Sequence, residues 1–569
     1  MARNLRVGVQ RGLRQSIGGG LGTGDIFTLS PASFDFSRTN TKDSRITFTR
    51  ASSGTFVGAD GLIKTTPVNL IKYSQKFDQE WTTDSTGTIT INHAEAPNGT
   101  TTANRFVEST GNVSHAIRQP LTISGTYTVS VHFKELPGSA KRYGVLRIHG
   151  VGSTAPIAFF DLGNGTVTSS GGTNIISTSI ADVGDGWFRC SMTANEPLLS
   201  GDGIQVGVTN ASDSFSSYTG DGSSGLLIWG VQVEKANTAT DYIPTTNTIS
   251  GASRFDHDPA TGESLGLLIE ESRTNILLKS EKLNEWVVGS GSSVTANQAV
   301  APDGTNTADR VQHGSGGFSW IRQDVLTSGV TYTVSVYAKA VTPGTNDQFT
   351  FDLGGTSSIF IATGEWQRFT FTSTASNSSI YLNNGDDSFS TDVYFWGAQV
   401  EEGSFATSYI PTDTSSVTRA ADVVEITGTN FSSFYNQSEG TMFVDAGTST
   451  NTANFDISEY SSGNISVRHT VRYDANNSRV GFTGNTVSQQ YVSLSSPASI
   501  KVAATQSLGF AVNGVLTSNA GTSNSGTKTQ LSIGYRGSSS GEVINGHIKR
   551  LSYFPTRLTD EQLIELTSE

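Results

Sequence analysis

The residues best suited to bind a ligand are one tryptophan and two arginines at matched places in a repeated sequence. Trp320 and Arg322 stand in "WIRQ", and Arg118 stands in "AIRQ". The flat face of an indole packs against the C–H face of a sugar ring, and a guanidinium stacks or binds polar groups. Ala116 takes the place of Trp320 in the other copy, which favours a ligand role for Trp320. Two alternatives stay open, a local core role for Trp320 and structural salt bridges for the arginines.

The other six tryptophans occur at equal positions in the two copies, which favours a core role because burial of the ring stabilises both copies alike. The pairs are Trp81 with Trp286, Trp187 with Trp366, and Trp229 with Trp396.

Catalytic chemistry has little support in the sequence. None of the eight histidines stands in HxH or HxxxH spacing, and the single cysteine, Cys190, excludes a disulfide framework and a Cys-rich zinc site. Carboxylates are spread over many loops, and no pair stands out as the close pair that glycosidases need. We therefore expect a protein without enzymatic activity and without a required cofactor.

Arg118, Trp320 and Arg322 lie in a part of the sequence that is duplicated. "NLIKYSQKFDQEW" begins at 69 and "NILLKSEKLNEW" at 275, while "APNGTTTANRF" and "APDGTNTADRV" follow in the same order. The offset between the copies is 205 residues at Tyr127 and Tyr332 but 167 at Trp229 and Trp396, so the second copy is 38 residues shorter. This pattern identifies a repeated domain.

Each copy is expected to consist of β-strands. In "YTVSVYAKA", residues alternate in the period of two that predicts a strand with one buried and one solvated face. Turn signals such as "PNG", "PDG" and "GDG" fall between short apolar runs, and charged residues make up only 15% of the chain. The predicted fold class is all-β, with tandem β-sandwich (jelly-roll) domains and a further C-terminal β-sandwich.

The repeated motifs resemble the carbohydrate-binding-module-like jelly-roll domains of phage tail and other virion proteins. The resemblance lies in "APDGTNTADR", "YTVSVYAKA", "GEWQR" and "WGAQVEEGSFATSYIPT", and the first copy departs from it with "VQVEKAN". The connector "FDHDPATGESLGLLIEESRTN" resembles the linker before such modules in phage structural proteins. The end of the chain resembles a concanavalin-A-like or laminin-G-like sandwich, with an Asn-Gly hairpin in "FAVNGVL" and a final helix in "LTDEQLIELTSE".

These observations predict six segments. They are a basic N-terminal anchoring arm (1–30), a β-hairpin linker or small domain packed on the first copy (31–67), jelly-roll domain 1 (68–247), a linker (248–273), jelly-roll domain 2 (274–414) and the lectin-like C-terminal domain (415–569).

The arm has four arginines before a glycine-rich stretch, which fits either a disordered tail or an arm that anchors the protein on an acidic virion surface. The anchoring residues are Arg3, Arg6, Arg11 and Arg14.

Binding modules of this kind often hold a structural calcium ion in an acidic loop. The corresponding candidates are Asp386, Asp387 and Asp392, whose carboxylates are the hard oxygen ligands that calcium prefers. A solvated turn is the alternative.

The resemblance implies a bacteriophage virion protein, a tail fibre or tail-associated appendage that binds host-surface polysaccharide and docks on other virion proteins. It implies synthesis in the host cytoplasm and a homo-oligomer, with a trimer as the usual form of such fibres. A capsid decoration or head fibre protein without sugar binding, and a polysaccharide depolymerase, are the alternatives. The net charge of −13 argues against nucleic acid, and no run of 18 apolar residues predicts insertion into a membrane.

Overall fold

The protein is built almost entirely from antiparallel β-sheets that form three β-sandwiches, which confirms the predicted all-β class. The computed structural model describes residues 26–83, 87–150, 154–314, 317–385, 389–448, 454–463, 468–484, 490–494, 496–506, 509–518, 526–537 and 542–568.

Module 1, formed by the first copy, has two six-stranded sheets. In spatial order, one sheet contains Thr166–Gly171, Ile157–Asp161, Tyr143–His149, Gly203–Thr209, His115–Pro120 and Thr82–Thr83. The opposing sheet contains Ile175–Gly184, Trp187–Ala194, Tyr127–Glu135, Gly225–Glu234, Ala103–Val107 and Thr88–Ala94. Asn112–Val113 and Tyr218–Thr219 form a separate small ribbon.

Module 2, formed by the second copy, has the same strand order with five strands in each sheet. The first sheet contains Thr356–Ile361, Gln348–Leu353, Ser379–Asn383, Trp320–Asp324 and Val287–Val288. The second contains Gln367–Thr374, Thr331–Ala340, Thr391–Glu402, Ala308–His313 and Ser292–Ala299, and a short 3-10 helix spans Leu283–Glu285.

The shorter second copy lacks one edge strand from each sheet. Module 1 strands Thr166–Gly171 and Ile175–Gly184 are the outermost strands of their two sheets, and they have no counterpart among the described residues of module 2. Loss of an edge strand leaves the central pairings and the core between the sheets intact, so the two copies keep one fold in spite of their different lengths.

The central repeated strand is buried on both faces, which differs from the predicted single buried face. Thr333 and Ser335 have 1% and 0% of their surface exposed. The loop after strand Thr391–Glu402 covers them, because Thr333 donates to the Gly403 carbonyl and Arg368 bonds both Ser335 and the Thr407 carbonyl. Hydroxyl side chains fit this layer because their hydrogen bonds are satisfied locally.

The third unit, which we call the C-terminal sandwich, takes strands from three parts of the chain: before module 1, between the modules and after module 2. Its eight-stranded sheet contains Ala32–Asp35, Arg254–His257, Ser264–Ile269, Gly546–Phe554, Thr441–Thr448, Ile500–Thr505, Gly509–Val512 and Val515–Ser518. Its seven-stranded sheet contains Thr47–Thr49, Val423–Thr427, Gln530–Ile533, Phe455–Ser461, Arg468–Asp474, Arg479–Gly484 and Gln490–Ser493.

Short helices complete this unit, at Phe27–Leu29, Phe36–Thr39, Gly428–Ser432, Ala475–Asn477 and Asp560–Ser568. The last was predicted from "LTDEQLIELTSE": Thr559 caps it through the amide of Gln562, and Leu563 and Leu566 are buried. The Asn513–Gly514 hairpin is also present, with both residues in the left-handed region that this tight turn needs.

The segments before and between the modules therefore differ from the sequence-based interpretation. The 31–67 segment and the 248–273 linker do not stand apart, because strands from both pair with the C-terminal strand Gly546–Phe554. Phe34, Leu267 and Ile269 are at most 3% exposed in one core with the C-terminal residues. Modules 1 and 2 are thus insertions between strands of a single sandwich.

The predicted hairpin is present at Thr55–Val57 and Ile63–Thr65, but it packs on module 2 and not on module 1. The amide of Ile63 donates to the Pro302 carbonyl, and the hydroxyl of Thr55 donates to the Tyr409 carbonyl at 2.5 Å. A short two-stranded ribbon joins the segments that enter and leave each module. Val68–Asn69 pairs with Ser250–Gly251 at module 1, and Arg273–Asn275 pairs with Val417–Arg419 at module 2.

A buried ion network lies where these segments meet. Its members come from the segment before module 1, the connector between the modules and the segment after module 2: Arg50, Arg254, Glu270, Arg419 and Asp422. Each side chain is at most 6% exposed. Charges buried this deeply need each other, so the network fixes how the segments cross.

His132 in strand Tyr127–Glu135 of module 1 and Tyr337 in strand Thr331–Ala340 of module 2 occupy the same position of the repeat. His132 is 5% exposed and lies edge-on to Trp229 and Tyr242. Burial, with a contribution from nearby Arg189, lowers the pKa of His132 to about 4. The imidazole is therefore neutral in the folded protein at pH 5, where an unfolded histidine takes up a proton.

Stability should fall as the pH drops from 6.5 towards 4, by about 1.4 kcal/mol per pH unit for His132 alone. The contribution is complete above pH 6.5, because histidine is then neutral in both states. We expect His132→Tyr, which installs the module 2 residue, to reduce this acid sensitivity in urea unfolding at pH 7 and pH 5. His93→Phe, at an exposed site, is the control. Equal pH dependence in both variants would contradict the prediction.

Candidate ligand-binding surface

The candidate site is on the outer face of the first sheet of module 2. We call it the aromatic patch, and it consists of Phe318, Trp320, Arg322 and Tyr381. Alternation along Trp320–Asp324 buries Ile321 at 0% exposure and turns Trp320 and Arg322 outward. The register then places Tyr381 directly opposite Arg322 on the neighbouring strand.

The rings and the guanidinium hold one another in place. The Trp320 and Tyr381 rings meet edge to face, with centroids 5.6 Å apart and planes at 87°. The Arg322 guanidinium lies 5.0 Å from the Trp320 ring centroid and donates to the Tyr381 hydroxyl at 3.0 Å. Such cation–π and hydrogen-bond contacts orient side chains that solvent would otherwise leave mobile.

The surroundings leave the patch accessible. Phe318 is 42% exposed, and Val287, opposite Arg322 on the edge strand, is 54% exposed. A Cβ atom on Gly289 would come within 2.5 Å of the Trp320 ring, so glycine at this position makes room for the indole. The hydrogen bond to Tyr381 raises the pKa of the Arg322 guanidinium, and Asp324 lies 3.5 Å from its Nη2 atom.

Chemically, the patch offers two things that sugar binding requires. Its rings present flat apolar surface to C–H groups, and Arg322 and the Tyr381 hydroxyl supply polar contacts beside that surface. The structure thus brings Trp320 and Arg322 together and adds Tyr381 and Phe318, which the sequence analysis missed. The sequence held one signal for Phe318, because residues two apart on a strand lie on the same face and Phe318 stands two residues before Trp320. Tyr381 belongs to a different strand, and only the cross-strand pairing brings it into the patch.

Arg118 lies in a different environment, on module 1. Its Nη1 atom is 2.9 Å from Nδ1 of His149, and its strand neighbour Ala116 is 1% exposed. The module 1 residue at the position of Tyr381 is Gln205, which is 2% exposed. The matched arginines therefore do not share one kind of site, and the aromatic surface belongs to module 2.

The predicted calcium loop falls mostly outside the described residues, which exclude Asp386 and Asp387. Asp392 is described, and both its oxygens accept hydrogen bonds from Arg310, at 2.7 and 2.6 Å. This carboxylate serves an ion pair in the structure. Among the described residues, no group of three His, Cys, Asp or Glu side chains is arranged to hold a metal ion.

The predicted anchoring residues Arg3, Arg6, Arg11 and Arg14 also lie outside the described residues, so their role stays a prediction. No helix in the described part of the chain is long and apolar enough to cross a membrane.

A scan against protein-family models finds no match for this sequence, and a search of curated proteins finds none either. Among solved structures, the chain is similar to a tandem pair of family 22 carbohydrate-binding modules from Paenibacillus barcinonensis. That similarity has 11% identity and a TM-score of 0.21, and covers 59% of this chain and 97% of the other.

Tandem family 51 modules of a family 98 glycoside hydrolase from Streptococcus pneumoniae give 11% identity and a TM-score of 0.17, covering 66% of this chain and 99% of theirs. The ANX2 ectodomain from Arabidopsis thaliana is 7% identical with a TM-score of 0.18, and the similarity covers 62% of this chain and 97% of the ectodomain. Identity and TM-score are low in each case, so the tandem-sandwich fold rests on this protein's own strand pairing.

Proposed function

We propose that this protein is a non-enzymatic glycan-binding protein of a bacteriophage virion, which recognises host-surface polysaccharide through module 2. The aromatic patch is the observation that carries the proposal. Large, partly exposed rings on a sheet face bury apolar surface when they contact the apolar face of a sugar, and this burial is favourable. The patch is also absent from the equivalent face of module 1, as expected for a binding surface and not for a part of the common core.

The virion setting rests on the resemblance of the repeated motifs and of the connector to phage structural proteins. In that setting the N-terminal arginines would anchor the protein on other virion proteins, as a tail fibre or tail-associated appendage. A symmetric homo-oligomer would multiply weak sites, because linked sites raise the effective concentration for the second contact.

Trp320→Ala should weaken binding of the full-length chain to host cells about tenfold or more, because a central aromatic anchor typically contributes over 1.4 kcal/mol. The measurement is saturation binding of fluorescently labelled protein to susceptible and resistant cells. Val515→Ala, at a 53% exposed apolar residue of the C-terminal sandwich, is the matched control and should bind as the parent does. Binding that survives both Trp320→Ala and Tyr381→Ala would disprove the role of the patch.

A further inference from the structure

A cavity that shares no residue with the aromatic patch lies at the junction of three parts of the molecule. This junction cavity has a volume of about 460 Å³. Tyr337 and Phe405 of module 2 form one wall, Asp445 and Lys549 of the eight-stranded sheet form the opposite wall, and Phe56 of the hairpin closes a side. Its size falls within the range of small-molecule pockets, which often lie between domains.

Hydrogen bonds to the buried ion network and to Asp256 hold the residues that line the cavity in position. Arg254 and Glu270 of the buried ion network both bond the Ser408 side chain, at 2.7 and 2.6 Å, and thereby fix the loop of module 2 that lines the cavity. On the other side, Asp256 accepts hydrogen bonds from the Val57 amide at 2.6 Å and from His547 at 2.9 Å. The cavity is therefore preformed, so a ligand would not have to assemble it.

Three polar groups of the lining have no hydrogen bond or ion pair with another described residue. They are the carboxylate of Asp445, the ammonium of Lys549 and the hydroxyl of Tyr337. Burial raises the pKa of Asp445, against the lowering effect of Lys501, Lys549 and Arg550. All three side chains are only partly buried, so hydroxyl groups of a ligand can replace the water that would otherwise solvate them.

The chemistry of the lining selects the kind of partner. A carboxylate and an ammonium on one wall favour a ligand that is neutral overall, because either ionic class would meet a like charge. Sugar hydroxyls donate to a carboxylate and accept from an ammonium, and their C–H faces pack on rings such as those of Phe56 and Phe405. We propose that the junction cavity binds a neutral saccharide unit, as a site that does not depend on the aromatic patch.

The test uses the full-length chain with Trp320→Ala and Tyr381→Ala, so that both central rings of the aromatic patch are removed. D-glucose, D-galactose, D-mannose and N-acetyl-D-glucosamine are titrated separately, and binding is followed by saturation-transfer NMR and calorimetry. We expect saturable binding of at least one sugar. Adding Asp445→Asn should weaken it about tenfold, because a hydrogen bond to a charged carboxylate is stronger than one to a neutral amide. Tyr337→Phe, which removes only the hydroxyl, should cause a smaller loss.

Asp413→Asn serves as the matched control, because it makes the same chemical change at an exposed site of module 2 and should leave binding unaltered. The proposal fails if none of the four sugars binds saturably, or if Asp445→Asn and Tyr337→Phe bind as the parent does. Either failure leaves the cell-binding test of Trp320 untouched, so the two sites are judged separately.

Discussion

Asp422→Asn should lower the free energy of unfolding of the C-terminal sandwich by about 3–5 kcal/mol, the usual cost of removing one partner from a buried ion pair. Asp422 Oδ1 bonds Arg50 at 2.9 Å, and Oδ2 bonds Arg254 and also the Glu270 amide, the latter at 2.9 Å. The substitution would leave two buried guanidiniums with one fewer anion.

The pKa values of the network residues depart from their ordinary values, and neighbouring charges of the network contribute to each shift. Burial lowers the pKa of Arg50 to about 10, although Asp422 acts to raise it. Burial acts to raise the pKa of Glu270, but Arg419 and Arg254 together hold it well below its ordinary value. With Asp422 neutralised, the arginines would repel one another in a medium that screens charge poorly.

Urea unfolding at neutral pH, followed by tryptophan fluorescence and by limited proteolysis, measures the effect. Asp413→Asn removes a carboxylate that is 59% exposed and pairs with Lys279 and Lys282. This surface change should cost under about 1 kcal/mol. Early proteolytic cleavage in the connector 250–275 should accompany the loss in Asp422→Asn. Matching urea midpoints for the two variants would show that the network does not hold the junction together.

The isolated segment 415–569 should fail to fold. It lacks four strands of its own sandwich, Ala32–Asp35, Thr47–Thr49, Arg254–His257 and Ser264–Ile269. These strands and the adjoining helix supply five large core side chains, and burial of each contributes about 1.5–3 kcal/mol: Phe34, Phe36, Phe48, Leu267 and Ile269. Their sum is comparable to the entire stability of a typical domain, about 5–15 kcal/mol.

Segment 68–247 is the control, because both of its sheets lie within its own sequence, and it should unfold cooperatively when expressed alone. The stronger test removes both modules. Pro67 and Ala252, which flank module 1, are joined by a backbone hydrogen bond of 3.0 Å. Strands Arg273–Asn275 and Val417–Arg419, which flank module 2, pair with each other. Short glycine linkers can therefore replace 69–249 and 276–416.

We expect this doubly excised chain to give the dispersed amide NMR spectrum and cooperative melting of a folded sandwich. A folded 415–569 fragment, or an unfolded doubly excised chain, would each contradict the insertion architecture.

The sequence by itself determined the local features of this protein. Period-two alternation predicts strands wherever side chains face two different environments, and the Asn-Gly hairpin and the Thr559 cap depend on residues within a few positions of each other. The repeat also showed that Trp320 has no counterpart in the first copy, which located one half of the aromatic patch.

Only the tertiary structure decided which strands pair and what covers them. Phe34 and Leu551 are neighbours across a sheet although more than 500 residues separate them, and no periodicity records the identity of a partner strand. Tyr381 reaches the aromatic patch in the same way, through the register of its strand with Trp320–Asp324. The junction cavity likewise forms only where module 2 meets a sheet assembled from distant segments, because its walls are brought together by long-range pairing and by a buried ion network.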